Sequence, residues 1–135
     1  MKRVLVTGAT GFLGKYLVEE LINNGYEVVA QGRKENILNN LKEQYKVNIL
    51  KCSLNEIKNI DMNIDCVIHA AALSTVWGKW QDFYDSNVLG TENVIKFCLK
   101  NNVRRLIYVS SPSVYSAKFD RFNIKEEDFD KNNKL

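Results

Sequence analysis

The chain has 135 residues, 45% hydrophobic and 26% charged, which suffices for one soluble domain with a real core. A net charge of +3 with no Lys/Arg block argues against nucleic acid as a partner, and no apolar run is long enough to cross a bilayer. Three widely spaced cysteines (Cys52, Cys66, Cys98) and a single histidine, His69, argue against a zinc site or a disulfide framework and fit a reducing cytoplasm.

Val4-Leu5-Val6 reads as a buried strand, and residues 15–22 read as a helix. Between them lies Thr7-Gly8-Ala9-Thr10-Gly11-Phe12-Leu13-Gly14. A strand, a glycine-rich turn and a helix together form a phosphate-binding device. Gly8 lets the chain leave the strand in a tight turn, Gly11 lets backbone approach a pyrophosphate, and Gly14 lets the helix pack closely on the sheet. The helix start then offers free N–H groups and a positive dipole end to the anion. The spacing, Gly-x-x-Gly-x-x-Gly, is one residue wider than G-x-G-x-x-G.

Asn23-Asn24-Gly25 predicts a helix stop and a turn, and residues 26–30 a second strand that runs into Gln31-Gly32-Arg33-Lys34. Residues 36–44, with Ile37, Leu38 and Leu41 on one side, predict a second helix. Residues 47–50 predict a third strand, 55–60 a short helical turn, and 65–70 a fourth strand. Trp80, Phe83, Tyr84, Val88, Thr91, Val94, Ile95 and Cys98 recur at three and four, which predicts a long amphipathic helix to about Asn101. Residues 104–110 predict a fifth strand. Continuous apolar strands alternating with helices imply a parallel sheet covered on both faces. The expected fold is a Rossmann-type doubly wound α/β sheet in the order 3-2-1-4-5, with a ligand crevice at the strand C-termini between strands 1 and 4. From Ser116 on the chain is charged and Asn-rich, which reads either as a solvated tail or as the start of further fold.

Four segments in this order resemble the extended short-chain dehydrogenase/reductase family, the NAD-dependent epimerases/dehydratases. They are the glycine loop, Asp65-Cys66-Val67-Ile68-His69-Ala70-Ala71-Ala72, Asn87-Val88-Leu89-Gly90-Thr91-Glu92-Asn93-Val94, and Tyr108-Val109-Ser110-Ser111-Pro112-Ser113-Val114-Tyr115. Ala71-Ala72-Leu73-Ser74, Trp77-Gly78 and the segment from Ser111 to Tyr115 resemble most the branch of 3β-hydroxysteroid dehydrogenases and 2-alkyl-3-oxoalkanoate reductases. The resemblance implies that residues 1–118 form an NAD(P)-binding domain, with residues 119–135 a charged tail. It assigns Gly8, Thr10, Gly11 and Gly14 to the cofactor loop, with Phe12 and Leu13 opening the helix over the pyrophosphate. Ala70, Ala71 and Ala72 would let backbone lie near the adenosine and the nicotinamide ribose, Asn87 would brace the site, and Ser111 would be the catalytic serine. His69 receives no role and reads as a core or strand-end histidine.

Proton transfer in that family needs a tyrosine followed four positions later by a lysine, whose charge lowers the phenol pKa. None of the six tyrosines here has a lysine at that spacing; Tyr115 and Lys118 are three apart, and Tyr115 matches the family's strand-end tyrosine. The expectation is therefore the N-terminal, cofactor-binding part of a longer cytoplasmic enzyme, an oxidoreductase or epimerase inactive as this chain alone. The alternative is a non-catalytic dinucleotide-binding or sensor module. Expected partners are a dinucleotide, a small hydroxyl or carbonyl substrate and a second copy in a homodimer, with no nucleic acid and no membrane. The second strand ends without the carboxylate that would grip the NAD ribose, but with Arg33, which favours NADP over NAD. Ser53 stands where the family commonly has an aspartate for the adenine, leaving Leu54 to pack there.

Overall fold

The computed structural model describes residues 2–115 and 122–128. Strands β1 (Arg3–Thr7), β2 (Glu27–Gly32), β3 (Asn48–Lys51), β4 (Cys66–His69) and β5 (Arg105–Tyr108) form one sheet in the order β3-β2-β1-β4-β5, every pair parallel. Helices α1 (Phe12–Asn23), α2 (Glu35–Tyr45) and α3 (Leu54–Ile57) follow the first three strands. Helix α4 (Trp80–Phe83), a π-helical segment (Tyr84–Leu89) and α5 (Gly90–Lys100) then connect β4 to β5. The expected strand order and Rossmann-like architecture are those observed.

Alternation along each strand divides the core in two. Val4 and Val6 of β1 point one way, with Val28, Ala30 and Ile68, and are covered by Val18 of α1 and Leu38 and Leu41 of α2. Leu5 points the other way, with Val29 and Val67, and meets Ile57, Val94, Phe97 and Cys98. Because both faces are covered, the central strands read as uninterrupted apolar runs. Burying a side chain such as Phe97 contributes about 1.5–3 kcal/mol, so each layer can hold its helices on the sheet. Short α3 depends on its ends as well: Glu56 accepts hydrogen bonds from both the N–H and the hydroxyl of Ser53, each at 2.7 Å.

Two expectations need correction. The run from Trp80 to Lys100 is helical throughout, but it buries only part of the predicted stripe: Val94 and Cys98 are buried, whereas Trp80, Tyr84, Val88 and Ile95 are exposed. The buried face is Gly90, Asn93, Val94, Phe97 and Cys98, all on α5, which packs on α3 and β4. The wider π turn puts residues before and after it on different helical phases, so one periodicity cannot describe both. The second correction concerns β5, which lies at the sheet edge with Leu106, Ile107 and Tyr108 exposed despite its apolar sequence. An edge strand of this kind is expected to be covered by the chain after Tyr115 or paired with another chain; residues 116–121 and 129–135, and with them the boundary expected at residue 118, lie outside the described residues. No helix among the described residues is long and apolar enough to cross a membrane.

Candidate functional site

The turn after β1 is held from three sides. Gly8 has φ +70°, a conformation that L side chains rarely adopt. A Cβ there would lie 2.7 Å from Ala71 Cα, so the loop after β4 rests directly on this turn. Gln31, 2% exposed at the end of β2, accepts the Gly8 N–H on Oε1 at 3.1 Å and donates from Nε2 to the Cys52 carbonyl at 2.7 Å. The Gln31 carbonyl in turn accepts the Ala9 N–H at 2.9 Å. One side chain thus ties the turn to β2 and to the exit of β3.

The three glycines differ in what requires them. A Cβ on Gly14 would lie 2.1 Å from the Gly8 carbonyl oxygen, so the fold itself demands glycine there. A Cβ on Gly11 would meet only the Gly8 carbonyl oxygen, at 3.2 Å. Gly11 is exposed, has φ −85°, and caps α1 with no side-chain hydrogen bond and no acidic residue in the first turn. The chain's own packing asks less of Gly11 than of Gly14, since the Gly8 carbonyl would have to give by only a few tenths of an ångström; a ligand approaching backbone there adds a second reason for glycine.

In front of Gly11 opens a crevice of about 650 Å³ at the C-terminal ends of the strands. Gly8, Thr10 and Gly11 form its floor, Gly32, Arg33 and Lys34 one side, Ser53, Leu54 and Asn55 the far end, and Ala70, Ala71, Ala72 and Leu73 the other side. Asp82, Asp85 and Ser86 close it from the helical run. Of the residues singled out from sequence, Gly8, Thr10, Gly11, Arg33, Leu54, Ala70, Ala71 and Ala72 are brought together here. Gly14 lies buried behind the loop, and the exposed Phe12 ring stands edge-on to Tyr16 at 5.4 Å. Leu13 is half-exposed on the same first turn. The crevice is mixed in charge, basic at Arg33 and Lys34 and acidic at Asp82 and Asp85.

Asn87 stands behind the crevice wall. Its side chain accepts the Leu73 N–H at 2.8 Å and donates to the Leu73 carbonyl at 3.0 Å, clasping the loop after β4 from the π-helical segment. His69 is buried at the end of β4, between Thr7 of β1 (2.6 Å) and Thr91 of α5 (3.1 Å). Burial lowers its pKa from 6.5 to about 4, so it is neutral at neutral pH. Ser53, as N-cap of α3, has its hydroxyl engaged by Glu56. Ser111 is exposed beyond β5, 2.8 Å from the Ser113 hydroxyl, and does not line the crevice. Sequence reasoning missed Gln31 and Gly32. A Cβ on Gly32 would strike the Thr10 side chain at 2.6 Å, so this glycine lets the loop lie against β2. The available signal was a polar glutamine closing an apolar strand, directly before a glycine.

The model of the family described as NAD dependent epimerase/dehydratase matches residues 4–134. This chain belongs to that family. Among its relatives, the 2-alkyl-3-oxoalkanoate reductase of Stenotrophomonas maltophilia is 31% identical over 112 residues, covering 83% of this chain and 34% of that protein. The sterol-4-alpha-carboxylate 3-dehydrogenase (decarboxylating) of Dictyostelium discoideum is 37% identical over 121 residues, covering 84% of this chain and 37% of that protein. The crystal structure of UDP-glucose 4-epimerase from Bifidobacterium longum, in complex with NAD+ and UDP, superposes with a TM-score of 0.79 at 28% identity, over 93% of this chain and 42% of that one. This family member spans about a third of the length of the curated relatives named above.

Proposed function

We propose that this chain is the dinucleotide-binding part of an NAD(P)-dependent oxidoreductase or epimerase that acts on a hydroxyl or carbonyl substrate. The substrate type is that of sugar-nucleotide epimerases and dehydratases or of 3β-hydroxysteroid and 3-oxo reductases. The observation that carries this reading is Gly11: a glycine less constrained by the chain's own packing than Gly14, at an uncapped helix start, facing a crevice of about 650 Å³. When bound, the dinucleotide supplies hydride transfer. Gly8, Gly11 and the first turn of α1 would hold its pyrophosphate, with Thr10 on the crevice floor. Leu54 would pack on the base, and Ala70, Ala71 and Ala72 would leave room for the two riboses. Asn87 acts through Leu73, keeping that wall in place.

Arg33 supports a preference for NADP. It is exposed on the crevice side next to Lys34, and no carboxylate ends β2 to accept the ribose hydroxyls. Ser111 is proposed to hydrogen-bond the reacting oxygen. The 135 residues hold no Tyr-x-x-x-Lys pair, so proton transfer has no evident carrier in them. Calorimetric titration with NAD and NADP tests the reading. Saturable 1:1 binding by the wild type, abolished in a folded Gly11→Val variant, is the expected result. Equal affinity in that variant would refute the loop assignment.

A further inference from the structure

The position of His69 gives it more than a core role. The Thr91 hydroxyl has one proton, and the Asn87 carbonyl accepts it at 2.7 Å. Thr91 Oγ1 must then accept from His69 Nε2, 3.1 Å away, which places the ring proton on Nε2. With Nδ1 bare, the Thr7 hydroxyl donates to it at 2.6 Å. Thr7 Oγ1 is left as an acceptor, and the Ala71 N–H points to it at 3.4 Å. Every hydrogen bond in this row has one permitted direction: Ala71 N–H to Thr7, Thr7 to His69, His69 to Thr91, Thr91 to Asn87. Asn87 then closes on Leu73.

We propose that His69 is a positioning residue of the crevice, whose Nε2–H tautomer sets the direction of this row and so fixes the loop Ala71–Leu73 against the Gly8 turn. This builds on the dinucleotide reading, because that loop and that turn are two walls of the same crevice. The register explains why one ring reaches both: Thr7 and His69 are paired residues of β1 and β4, while Thr91 comes from the helix above. The titratable group facing the ring is Tyr108 of β5, at 5.6 Å between centroids, and no acid among the described residues bonds to either nitrogen. The ring therefore acts as a neutral donor and acceptor at once, bridging Thr7 and Thr91.

Because His69 is the chain's one histidine, its side-chain nitrogens can be read by long-range 15N NMR without assignment. The expected spectrum shows one protonated Nε2 and one bare Nδ1 at pH 7. Amide exchange at Ala71 is read in the same samples, with Thr7→Val removing the hydroxyl at nearly equal volume and Thr7→Ser restoring it. Thr7→Val should speed Ala71 exchange at least tenfold and raise the dinucleotide dissociation constant about tenfold, and Thr7→Ser should return both to within about threefold of the wild type. An Nδ1–H tautomer, or equal Ala71 exchange in all three proteins, would overturn the proposal. If the wild type binds no dinucleotide, the reading of the crevice fails, and the tautomer and exchange data still decide the role of His69.

Discussion

Gln31 Oε1 accepts the backbone N–H of Gly8 at 3.1 Å, across 23 residues of sequence. A residue never in the glycine motif thus holds the motif's first turn. Gln31→Met keeps the length and removes both polar atoms, leaving the Gly8 N–H and the Cys52 carbonyl without their partner. Urea unfolding should show a loss of roughly 1–3 kcal/mol. An unchanged midpoint would show that water replaces the side chain there.

Gly14 and Gly11 should separate stability from binding. Gly14→Ala forces a methyl group to within 2.1 Å of the Gly8 carbonyl oxygen, and the expected cost is roughly 1–3 kcal/mol or more in a thermal melt. Gly11→Ala meets only a 3.2 Å contact and should melt close to the wild type while binding the dinucleotide about tenfold more weakly. Equal melting temperatures for the two variants would contradict this division.

Cofactor choice rests on Arg33, which pairs with no carboxylate among the described residues, whereas Glu35 close by is engaged by Lys51. The ratio of the NAD to the NADP dissociation constant should exceed one in the wild type and fall about tenfold in Arg33→Ala. A wild type preferring NAD, or a ratio indifferent to the substitution, would remove the claim.

Acid should loosen the fold through His69. Its folded pKa is about 4, against 6.5 for the ordinary side chain. Above pH 6.5 the ring is neutral in both folded and unfolded chains and stability does not depend on it. Between pH 6.5 and 4 the unfolded chain takes up a proton that the folded one refuses, so stability falls, by roughly 3 kcal/mol over the window. Below pH 4 the dependence flattens. Subtracting the profile of His69→Gln from that of the wild type isolates this contribution; two parallel profiles would mean that the ring titrates normally.

The pure 135-residue chain should not turn over NAD(P)H with ketone or nucleotide-sugar substrates. General acid–base catalysis contributes about 10²–10⁴-fold, and no Tyr-x-x-x-Lys pair is present to provide it. Steady oxidation of NAD(P)H by the purified chain would contradict the assignment.

The glycine loop and the strand order were legible because each depends on neighbouring residues. A glycine triplet between an apolar run and a helix marks a tight strand-to-helix turn, and continuous apolar strands alternating with helices leave few topologies. Gln31 was not legible, because its partners, Gly8 and Cys52, are brought to it only by the pairing of three strands. Tyr84, Val88 and Ile95 were assigned to the core because they fit a 3.6-residue period, yet they face solvent, since nothing local announces a π turn. The hold of the Asn87 side chain on the backbone of Leu73 likewise emerges only in three dimensions.

The crevice is built from five stretches of chain: 8–11, 31–34, 53–55, 70–73 and 82–86. Unfolding scatters all five, so a ligand that touches them together recognises only the folded chain. Mass action then ties folding to supply: free ligand at 100 times its dissociation constant adds about 2.7 kcal/mol to the folded state. For a domain of this size that is a large share of the whole stability. The nucleotide pool around the protein would thus help set how long each copy survives.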